Sequence, residues 1–88
     1  MSEKKKEFLA DEMETLRRLR DELRVRLHLA AADVRDRFEA LEKKWQHLEA
    51  KLELLAKESR EAGVDVQEAA KLLAEELREG YQRVKQLV

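Results

Sequence analysis

The residues whose types could do chemistry are few and poorly placed for it. His28 and His47 are too far apart in sequence to share a helical turn, and neither follows a glutamate by the three residues with which helical bundles hold paired metals. No HExxH pattern occurs, so the zinc-helix arrangement is excluded. Cysteine is absent, which removes thiolate ligands, disulfides and cysteine nucleophiles together. Hydroxyl groups are limited to Ser2, Thr15, Ser59 and Tyr81, and Ser59 falls on an apolar stripe, where it reads as a polar register device. Gly63 and Gly80 stand too far apart to form a glycine-rich phosphate loop. Carboxylates abound, but nothing in the pattern provides a cleft that would desolvate one and raise its pKa. No catalytic residue, cofactor-binding residue or metal ligand is expected, and neither is an enzyme.

The elements that would have to position such groups are helices. The chain has 88 residues, no proline, no asparagine and only two glycines, so few sharp reversals are encoded. From Phe38 the apolar positions Leu41, Trp45, Leu48, Leu52 and Leu55 follow in steps of three and four, and after Ser59 they continue through Ala62, Val66, Ala69 and Leu73. This is a heptad seam with one polar interruption. Upstream, Leu16, Leu19, Leu23, Leu27, Ala30 and Val34 carry the stripe into Phe38. The spacings from Leu27 to Phe38 and from Leu73 through Leu77 and Tyr81 to Val84 follow an eleven-residue repeat, which relaxes a left-handed supercoil. Acid-first pairs four apart, such as Glu14 with Arg18 and Glu22 with Arg26, support solvated helix faces.

The expected fold class is therefore all-α, a single domain over residues 1–88. A long amphipathic helix is expected over about 3–62, a hairpin turn at about 63–65 and a second helix over about 66–87, assembled as an oligomeric coiled coil or four-helix bundle. Gly63 is read as the left-handed residue ending the first helix, and Asp65 with Glu68 as a capping box starting the next; the competing reading is a helix that runs straight through, since the apolar phase is unbroken across Gly63. Gly80 reads as a packing or fraying position rather than a turn. A helix over 3–62 would be roughly 90 Å long and the second only roughly 33 Å. The short arm cannot cover the long one, so the chain is expected to self-associate as a dimer or tetramer. The interface expected is Leu16, Leu19, Leu23, Leu27, Phe38, Leu41, Trp45, Leu48, Leu52, Leu55, Val66, Leu73 and Leu77.

With Phe38, Trp45 and Leu52 at heptad position a, Arg37, Lys44 and Lys51 fall at g and Glu42 and Glu49 at e, which attract across a parallel pair. Bulky Phe and Trp at a, with Ala30, Ala62, Ala69 and Ala70 as small complements, favour an antiparallel assembly of two hairpins. The charge balance, 19 basic against 20 acidic side chains, argues against a general nucleic-acid binder. One local basic cluster, Arg17, Arg18, Arg20, Arg24 and Arg26, forms a candidate anionic-ligand patch. Its competing reading is a bundle face that pairs with acidic residues such as Glu75, Glu76 and Glu79. No apolar run is long enough to span a bilayer, so a cytoplasmic location is expected.

The segments Leu23-Arg24-Val25-Arg26-Leu27-His28-Leu29-Ala30 and Leu41-Glu42-Lys43-Lys44-Trp45 resemble those of short, charged, uncharacterised bacterial helical coiled-coil proteins. The resemblance implies a bacterial cytoplasmic origin and no residue-level function. The eleven-residue spacing is similar to that of exchangeable apolipoprotein helices, whose proline punctuation is missing here, so that function is not carried over. The leading expectation is a structural or interaction protein that binds itself, or else another helical protein. A reversible membrane-surface or lipid binder comes second and a nucleic-acid-associated protein third.

Overall fold

The computed structural model describes residues 3–57 and 63–88. Among these the chain is all-helical: α1 Glu3–Arg26, a 3-10 turn at Leu27–Leu29, α2 Ala32–Lys57 and α3 Gly63–Leu87. The helix expected over 3–62 is thus two helices. α1 ends with Arg24 and Arg26 near its negative pole, where cations are favourable. The Ala30 N–H then donates to the Leu27 carbonyl at 2.9 Å, and Ala30 itself is extended, at φ −87° and ψ 157°. The Ala31 carbonyl accepts from the N–H groups of Val34 and Arg35, both at 3.1 Å, and so opens α2. Asp33 sits in that first turn, at the positive pole.

The expected turn at 63–65 is also corrected. α3 starts at Gly63, and no glycine among the described residues has a positive φ, so Gly63 is helical rather than a left-handed stop. The connection from α2 to α3 lies in 58–62, outside the described residues, as do Ser59 and Ala62.

These corrections change how the apolar stripe is buried. The three helices run up, down and up. α2 and α3 are antiparallel, with Phe38 beside Tyr81 at a ring-centroid distance of 6.0 Å and Lys44 reaching Glu76 at 3.1 Å. α1 and α3 run the same way, since Glu12 pairs with Arg78 and Glu22 lies 3.9 Å from Lys85. The result is 45 Å long with cross-dimensions of 19 and 16 Å, half the length of the helix first expected. Leu16, Leu23, Leu27, Phe38, Leu41, Trp45, Leu48 and Leu77 are all buried inside one chain, with Leu9, Met13, Val34, Ala70, Ala74, Tyr81 and Val84 completing the core. Leu19, Leu52, Leu55 and Leu73 pack partly buried against it, and Val66 is half-buried. A single chain therefore covers most of the stripe, which removes the length argument for obligatory association.

Packing accounts for the small residues. The register of Phe38 with Tyr81 and Lys44 with Glu76 brings the buried Ala74 to the level of Trp45, so a small residue answers the largest one. Gly80 marks a close approach of α3 to α2. A Cβ there would overlap one Leu41 methyl carbon and stand 3.1 Å from the other and 3.2 Å from Cγ. Helix α3 accepts glycine's propensity cost of about 1 kcal/mol in order to approach α2 this closely.

Candidate functional site

Three features could carry a function: a buried polar unit between α1 and α2, an apolar groove beyond it, and an exposed apolar end. In the polar unit, Arg20 donates through Nε to Glu42 Oε1 at 2.6 Å and through Nη2 to Oε2 at 2.7 Å. This bidentate fork is mostly shielded from water, and the bond to Glu42 holds the Arg20 pKa above its ordinary value. The guanidinium lies 5.2 Å from the centroid of the Trp45 ring, and that of Arg17 lies 5.9 Å away. With two guanidiniums against its ring and the residue only 3% exposed, Trp45 is a point where α1 is held to α2. Two of the charged heptad positions at e and g are answered within the chain: Glu42 takes Arg20 of α1, and Lys44 takes Glu76 of α3. Neither needs a parallel partner.

Tyr81 lies directly beneath. It is fully buried, its hydroxyl has no hydrogen-bond partner, and burial pushes its pKa above the ordinary tyrosine value, with Glu42 adding to the shift and Arg20 opposing it. Glu12 is buried as well, and Arg78 supplies its counter-charge. Neither residue was singled out as a buried polar group by periodicity, although Glu12 lies between Leu9 and Leu16 on the stripe side of α1 and Tyr81 lies on the stripe itself.

α3 packs closely on both other helices, whereas the backbones of α1 and α2 stand further apart. Beyond the Arg20–Glu42 pair the gap opens into an apolar groove of about 490 Å³, lined by Leu9, Ala10, Met13 and Arg17 of α1 and Leu52, Leu55 and Ala56 of α2. Leu52 and Leu55 belong to the expected interface. Leu9 and Met13 extend the same steps of four and three upstream of Leu16, so the apolar pattern starts about two turns before Leu16.

The arginine patch is split between two faces of α1, and most of its members already have acidic neighbours. Arg20 is occupied by Glu42, Arg17 and Arg18 approach Glu14 at 3.6 and 3.7 Å, and Arg26 reaches Glu22 at 3.2 Å. Arg24 is exposed. The acidic partner comes from α2 and from α1 itself, whereas Glu76 of α3 goes to Lys44. His28 and His47 are both exposed, and no group of three or more His, Cys, Asp or Glu among the described residues could hold a metal ion.

The opposite end of the bundle exposes Leu29 at 87% and Val25 at 69%, with Leu87 and Val88 beside them and Arg26 and His28 on the rim. No helix among the described residues is long and apolar enough to cross a membrane. Comparison with known proteins finds no family model, no curated protein and no solved structure that matches this chain.

Proposed function

We propose that this chain is a non-enzymatic helical interaction protein that self-associates through the part of its apolar stripe left open between α1 and α2. The observation that supports this reading is the groove where Leu9 and Met13 face Leu52 and Leu55, an apolar trough continuous with the core. An apolar channel of this kind along two helices fits a further helix in the manner of a bundle.

The test is the absolute mass of the 10.4 kDa chain by light scattering on a sizing column across a concentration series. The mass is expected to rise to that of a defined small oligomer. Ala56→Arg places a charged side chain in the groove from an exposed position, and is expected to return the chain to monomer with its helicity intact. A monomer at every concentration contradicts self-association. If that monomer sediments with anionic vesicles and Leu29→Asp abolishes the binding, the reading favoured by the exposed Val25 and Leu29 beside Arg26, a membrane-surface protein, replaces it.

A further inference from the structure

The two helices that border the groove carry opposite charges on their facing flanks. At the helical repeat of 100° per residue, Arg17, Arg20 and Arg24 fall on the flank of α1 nearest α2, and the contacts of Arg17 and Arg20 with Trp45 and Glu42 fix that orientation. Glu42, Glu49 and Glu53 fall by the same geometry on the flank of α2 nearest α1. The open face therefore has a cationic edge, an apolar trough and an anionic edge.

Such a face is complementary to itself under one symmetry and not under the other. A two-fold axis parallel to the helices lays α1 of one copy over α2 of the next, cationic edge to anionic edge, and sets trough against trough at the same end of both bundles. A two-fold axis across the helices would lay α1 on α1 and put Arg17 and Arg24 against their own copies. The net charge of −1 leaves no whole-molecule repulsion to oppose either approach.

Resting on the self-association reading above, we propose that the groove is filled by a second copy of this chain, docked about a two-fold axis parallel to the helices. α1 and α2 of both copies then form a four-helix layer, with Arg17 of each near Glu42 and Glu49 of the other. Among the described residues the edges of one chain are joined at one level, by Arg20 and Glu42, beside the Trp45 ring. Towards the start of α1 the gap among the described residues is apolar, and there the exposed Ala10 and Ala56 and the half-buried Leu52 and Leu55 of each copy meet over the buried Leu9 and Met13.

Paired charge reversals test this arrangement. Arg17→Glu with Arg24→Glu makes both edges anionic, and Glu49→Lys with Glu53→Lys makes both cationic. Each double variant alone is expected to dissociate, its dimer constant weakened at least about tenfold, because like charges then meet across the interface. An equimolar mixture is expected to recover the dimer mass as a heterodimer, which also shows that both variants are folded. Raising the salt concentration should weaken the parental dimer. If both variants associate as tightly as the parent, or the mixture stays monomeric, the proposed face is wrong while self-association stands. If the parent itself is monomeric at every concentration, this arrangement and the reading it rests on fail together.

Discussion

Trp45→Ala is expected to cost about 3 to 5 kcal/mol and to remove most of the cooperative unfolding transition. The indole is 3% exposed and lies between α1 and α2 at the level of Ala74. Truncation leaves a cavity that the small residues around it cannot refill. It also takes away the surface on which Arg20 and Arg17 rest, so the Arg20–Glu42 pair loses the apolar floor that shields it. A chain of this size carries roughly 4 to 13 kcal/mol of total stability, so the loss is a large share of it. Urea unfolding followed by helical circular dichroism measures it. A change under about 1 kcal/mol would mean that the ring is not packed between these helices.

Gly80→Val is expected to cost at least about 2 kcal/mol, against the naive expectation that replacing a mid-helix glycine helps. Leu41 meets the position with both methyl carbons and Cγ, so rotating one methyl group away does not clear it; either the leucine or α3 must move. The effect should depend on Leu41. In a Leu41→Ala background, Gly80→Ala is expected to stabilise by up to about 1 kcal/mol, because the clash is gone and only the propensity gain remains. Equal effects in the two backgrounds would show that α2 and α3 do not meet in this register.

The helical class and the core face of α2 were legible because Phe38, Leu41, Trp45 and Leu48 keep the three-and-four spacing without interruption. Gly80 was legible as a packing position, although its neighbour Leu41 was not, since periodicity assigns faces and not partners. The break at 27–31 was hidden for a definite reason. Leu27, Ala30 and Val34 keep the apolar phase across it, and the segment holds three consecutive alanines, the strongest helix formers, with neither glycine nor proline. Local propensity favours continuing the helix, and burial of Leu16, Leu23 and Leu27 against α3 overrides it. Off-phase Leu29 and Val25, now exposed at the bundle end, were the remaining signal. The groove could not be read as a site because its lining comes from two segments, residues 9–17 and 52–56, that are joined only once α1 folds back on α2. The arginine cluster looked like one patch in sequence, but helical rotation turns Arg18 and Arg26 away from the flank that Arg17, Arg20 and Arg24 share.

The reversal between α1 and α2 is what allows one chain to bury its own stripe, and it can be measured directly because the chain has no native cysteine to mislabel. Spin labels on Thr15→Cys and Ala50→Cys, both exposed positions, diluted with unlabelled protein, report the distance within a single chain. A folded-back bundle places the labels about 30 Å apart or less, as two helix diameters with the label arms require. A distance near 50 Å, the length of an uninterrupted helix between those residues, would contradict the fold and return the stripe to an interface between chains.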